Sequence, residues 1–113
     1  MKEIANRSAL YVYPKSPYIE WAKLYNESSN EDLRQRLNEK HVYLIDWTYD
    51  EDINEVLEPN YLKIFEYELD SWNVIKKEWP SNRTYKAFIE WFDVTLCHEI
   101  LDLETKKIVR EKL

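Results

Sequence analysis

The sequence predicts an α+β fold: a small three-stranded sheet with about four to five helices packed on one face, as a two-layer sandwich. Three segments rich in β-formers, 8–13, 41–47 and 94–103, have the length of strands. Between them, apolar residues recur at helical intervals. Nothing divides the 113 residues into two separately foldable halves, so one domain over 1–113 is expected, with 104–113 as a charged tail or short extension.

Ser8 to Tyr13 (SALYVY) alternates and stops at Pro14, which suits a first strand. In the turn 14–17, Ser16 can cap a helix that has Pro17 at its first position and Tyr18, Trp21, Ala22 and Tyr25 on one side, ending near Asn26. Ser28 and Glu31 form a capping-box pattern before a short helix with Leu33 and Leu37. His41 to Trp47 (HVYLIDW) is the second strand. Thr48 and Glu51 repeat the capping-box pattern ahead of an acidic helix with Ile53, Val56 and Leu57, broken by Pro59. Leu62, Phe65, Leu69 and Trp72 then mark a helix whose stripe should face the sheet. After a loop over 73–81, Ser81 or Asn82 can cap a helix over 83–93 with Tyr85, Phe88, Ile89 and Phe92 inside. The third strand is expected at 94–103.

Five Trp, nine Tyr and three Phe supply enough bulk to close a small core without disulfides. Cys97 is the one cysteine, and 1–5 has no apolar secretion segment, which together favour a reducing cytoplasm. No apolar run reaches the roughly 20 residues of a membrane span. The chain holds no glycine, which excludes the Walker A loop, the dinucleotide turn, the nucleophile elbow and the usual calcium loop. Left-handed backbone would fall to Asn, with Asn26, Asn38, Asn60 and Asn73 placed where helices end. With 22 acidic residues against 16 basic ones, a nucleic-acid backbone would be repelled overall.

The stretches Asn6-Arg7-Ser8-Ala9, Pro14-Lys15-Ser16-Pro17-Tyr18 with Trp21, and Trp79-Pro80-Ser81-Asn82-Arg83-Thr84 with Phe88, Trp91 and Phe92 are similar to a family of short uncharacterised bacterial proteins. The resemblance implies a bacterial cytoplasmic single-domain protein and transfers no mechanism.

Cys97, His98 and Glu99 hold the residue types of thiol catalysis, but neighbours on a strand face opposite ways, so a buried thiol and a core histidine are expected instead. One Cys and two His are too few for a Cys/His zinc tetrad; neither a metal nor a cofactor is expected. Glu90 and Asp93 are a pair that any helix this charged supplies.

Two surfaces remain. Arg83 near a helix start, Lys15 in the Pro turn and Arg7 before the first strand could hold an anionic ligand, walled by Trp79 and Trp91, in a small-ligand binder or an unusual enzyme. The other surface is favoured. Seventeen aromatics exceed what one small core can bury, so residues such as Tyr11, Tyr13, Trp47 and Tyr49 should reach the surface, rimmed by Asp50, Glu51 and Asp52. The acidic group 46–58 also suits helix initiation. The expected function is a protein-interaction or regulatory module, with a protein partner or a second copy of itself, and no membrane or nucleic acid.

Overall fold

The computed structural model describes residues 1–25, 38 and 40–113. The expected helix carrying Leu33 and Leu37, and Asn26, lie outside them. Strand β1 (Lys2–Glu3) precedes β2 (Arg7–Pro14), α1 (Ser16–Leu24) and β3 (His41–Asp46). Then come α2 (Ile53–Leu57), α3 (Tyr61–Trp72), a 3-10 turn (Lys76–Glu78), α4 (Tyr85–Trp91), β4 (Phe92–Cys97) and β5 (Leu101–Asp102).

The fold is α+β, as expected. The main sheet has the order β3-β2-β4, antiparallel throughout, with β2 in the centre, while β1 and β5 form a separate antiparallel pair. Register assigns the faces. Leu10 lies opposite Tyr43 and Leu96, and Val12 opposite His41 and Val94, so these side chains share one side of the sheet. There Leu10, Val12 and Phe92 join Tyr18, Trp21 and Ala22 of α1, Val56 and Leu57 of α2, Ile64, Phe65 and Leu69 of α3, and Ala87 and Phe88 of α4 in one core. Aromatic rings tile it: Phe65 meets Phe88, Trp91 and Phe92 at centroid distances of 5.8, 5.6 and 5.5 Å. Trp21, Trp72 and Trp79 each send the indole N–H to a backbone carbonyl, so their bulk is buried without an orphaned donor.

Several local expectations change. The third strand is shorter than 94–103: β4 starts at Phe92, which is also the extended C-cap of α4, and ends at Cys97. Leu101–Asp102 leaves the sheet to pair with Lys2–Glu3, a two-residue strand that has no readable periodicity. The caps also move. Asp52, not Thr48, caps α2, its carboxylate accepting from Asn54 N–H, and Thr84, not Ser81 or Asn82, caps α4 by accepting from Ala87 N–H. At α1 the N-cap position is Lys15 and no side chain caps it. In α3 the buried stripe is Ile64, Phe65, Glu68 and Leu69, and Leu62 is exposed. In α4, Ile89 is exposed as well.

No described residue has a positive φ. Asn60, the N-cap residue of α3, has φ −115° and sends Nδ2 back to Val56 C=O of α2; Asn73, the C-cap of α3, has φ −144°, donates its backbone N–H to Leu69 C=O and accepts from Ile75 N–H on Oδ1. This lets a chain without glycine turn. Among the described residues no helix is long and apolar enough to cross a membrane.

Candidate functional site

The far side of the sheet is built by the alternate residues. Register places Arg7, Ala9, Tyr11 and Tyr13 of β2 beside Val42, Leu44 and Asp46 of β3 and Asp93, Thr95 and Cys97 of β4. None of them belongs to the helix-covered core. Val42 and Leu44 are 53% and 55% exposed. Tyr11 and Tyr13 meet edge to face at 4.7 Å, both half-buried, and the Lys40 ammonium sits 4.6 Å over the Tyr13 ring. The Tyr13 phenol is pushed above its ordinary value by lost hydration, and then by Tyr11 and Asp93. Arg7 faces Asp46 across the strands at 3.5 Å. The surface is therefore an apolar strip with charges at its ends.

Trp47, Tyr49, Asp50, Glu51 and Asp52 occupy the segment after β3. Trp47 and Tyr49 are 43% and 76% exposed, with rings 5.0 Å apart. Thr48 Oγ1 accepts from Asp50 N–H, Asp50 from Asp52 N–H and Asp52 from Asn54 N–H, a chain of local caps that explains the acidic composition here. A shallow cleft of about 400 Å³ joins Trp47, Thr48 and Asp50 to Leu44 and to Val56, Pro59 and Asn60.

The cationic residues are dispersed. Arg83 donates to Pro80 C=O at 2.8 Å and lies 5.8 Å from the Trp79 ring. Lys15 donates to Ile89 C=O at 3.0 Å and lines a cleft of about 230 Å³ with Asn54, Tyr85 and Asp93 that includes neither Arg83 nor Trp79. Arg7 stands on the open sheet face. Trp79 is buried in the core, and half-buried Trp91 packs against it.

Cys97 is exposed, because its register opposite Ala9 puts it on the open face; the expectation of a buried thiol is overturned. His98 is half-buried beyond the strand end, with Nδ1 2.7 Å from Thr48 C=O. Ser8, fully buried, ties the same spot by accepting from Thr48 N–H and donating to His98 C=O. Among the described residues no group of three His, Cys, Asp or Glu gathers as a metal site would require.

One cluster escaped sequence reasoning. Glu68, 8% exposed, accepts from the Tyr43 hydroxyl at 2.6 Å and lies 2.9 Å from His41 Nδ1, while its backbone carbonyl accepts from Tyr18 and Ser71. Burial, then the Glu68 hydrogen bond and charge, push the Tyr43 phenol far above its ordinary value. The signal that could have found it is a charge inside the apolar stripe of α3. Its bonds tie that helix to β3.

Compared with known proteins, no family model matches the chain, and no curated protein or solved structure shows significant similarity to it.

Proposed function

We propose that this chain is a cytoplasmic protein-interaction or regulatory module that works through the open face of its sheet. The supporting observation is the asymmetry of that sheet: its described helices all bury side chains on one face, while the other carries half-buried Tyr11 and Tyr13 and exposed Val42 and Leu44 outside the core. Half-exposed tyrosines give an interface large contact area for little loss of side-chain freedom. Charges flank the strip without interrupting it, which suits partner selection by complementarity at the rim. The net charge of −6 favours a basic or neutral protein surface over nucleic acid.

The reading is tested by capture with tagged protein at low and high salt, followed by binding of the purified candidate. A true partner is lost on Tyr11→Ala and retained on Lys77→Ala, and it protects β2 and β3 amides from hydrogen exchange. A partner indifferent to Tyr11→Ala and Trp47→Ala removes the proposal. The alternative is a small anionic ligand, or an unusual enzyme, served by Arg83 and Lys15. It would require both cations to leave the carbonyls they now bind.

A further inference from the structure

The hydrogen-bond phase of the sheet fixes what its β3 edge presents. Trp47 N–H donates to Asn6 C=O, and those residues stand opposite in the β2–β3 register. Bonded pairs alternate along an antiparallel ladder, so His41, Tyr43 and Ile45 turn their backbone groups toward β2, and Val42, Leu44 and Asp46 turn theirs outward, with Lys40 one residue before the strand in the same alternation. Lys15 N–H bonding to Trp91 C=O gives β2 the complementary phase toward β4, as a central strand requires. Among the described residues, no strand other than β2 pairs with β3. An edge of this kind accepts another strand.

The outward row reads Lys40, Val42, Leu44, Asp46, with the lysine and the aspartate at opposite ends. Such a row is complementary to itself in the antiparallel sense. A two-fold axis beside Tyr43 sets Lys40 against the partner's Asp46, Val42 against the partner's Leu44, Leu44 against the partner's Val42 and Asp46 against the partner's Lys40. These are all outward-facing pairs, so the backbone bonds form in phase. Shifting the axis by one residue places Val42 against the partner's Asp46 or Lys40 against the partner's Leu44, each an apolar side chain against a charge. Only the first register matches charge with charge and apolar with apolar. The Asp46 side chain is fully exposed and within 3.5 Å of Arg7, so it remains accessible to a second cation.

We infer that two copies of this chain pair through β3, edge to edge and antiparallel about Tyr43, forming one continuous six-stranded sheet. The inference rests on the reading of the open sheet as an interaction surface and names its partner as a second copy. Isologous pairing of one edge closes both edges at once, so the assembly stops at two along this side.

Sedimentation velocity over a concentration series tests it with the full chain. Wild type shifts from monomer to dimer. Lys40→Glu alone and Asp46→Lys alone each put like charges at both ends of the pairing and weaken the dimer by about tenfold or more. Mixed in equal amounts, the two variants restore it. The glutamate introduced at position 40 of one copy then meets the lysine introduced at position 46 of the other, while the unchanged Asp46 and Lys40 still match. Circular dichroism verifies that each variant is folded. A wild type that stays monomeric throughout, single variants that dimerise like wild type, or a mixture that stays monomeric overturns the inference. If the wild type is monomeric yet a different protein is still captured and lost on Tyr11→Ala, the second copy fails and the interaction reading stands.

Discussion

The two faces of the main sheet are made by the same strands and differ in what covers them. On β2, Leu10 and Val12 are at most 2% exposed under the four described helices, whereas their neighbours Tyr11 and Tyr13 keep part of their rings in water. An antiparallel sheet with one wet face ordinarily alternates apolar with polar residues. Here β3 alternates in burial but not in chemistry, for Val42 and Leu44 are as apolar as Tyr43 and Ile45. The difference teaches that the apolar content of a strand does not tell how many layers pack on it. Where the described residues leave a face apolar without a layer on it, the free energy of covering it is available to a partner.

The comparison breaks most sharply in the core. Phe88→Ala removes a fully buried ring that touches Phe65 and Phe92, and should lower unfolding free energy by about 3–5 kcal/mol in urea denaturation. Glu68→Ala takes the acceptor from the part-buried Tyr43 hydroxyl and should cost about 1–3 kcal/mol by the same measurement. A loss near zero would mean that the Glu68 contacts to β3 add nothing to the joint between the layers.

A smaller effect is read by pH. Because the folded Tyr43 phenol titrates far above the ordinary value of 10.0, the native state keeps a proton that the unfolded chain releases. Its contribution is whole below about pH 10 and shrinks as pH rises beyond it. Tyrosinate absorbance should therefore show Tyr43 still protonated well above pH 10, and Tyr43→Phe should flatten the alkaline loss of stability. Least affected is the open face. Leu44→Ser, assayed dilute, should change stability by less than about 1 kcal/mol, since the side chain is already half in water.

Strands β2 and β3 were legible almost to the residue, because SALYVY and HVYLID combine β-formers with clear stops at Pro14 and near Trp47. The helix-covered layer was legible through Phe65, Leu69 and Phe88. Strand order was not, since no local pattern records that β2 receives β3 on one side and β4 on the other. Phe92 was misplaced because its apolar spacing fits the helix before it as well as the strand it begins. The α3 stripe was read through Leu62 and Trp72, whereas Ile64 and Glu68 are buried there: a buried carboxylate is acceptable once Tyr43 and His41 contact it, and those residues come from another element. The open sheet face was legible only as an excess of aromatics. Tyr11 and Tyr13 fall on it, but Trp47 and Tyr49 lie in the loop beside it, and the aliphatic pair Val42 and Leu44 went unnoticed.

The central place of β2 also governs the order in which the chain can be completed on a ribosome. Synthesis proceeds from the N-terminus, so β2 emerges before both of its partners, gains β3 after an intervening segment, and waits for β4 until α2, α3 and α4 have also been made. During that interval Ala9, Tyr11 and Tyr13 hold unsatisfied backbone groups along the side that Phe92 to Cys97 will occupy. A long-range closing step of this kind slows folding and leaves the nascent chain open to pairing with the wrong strand.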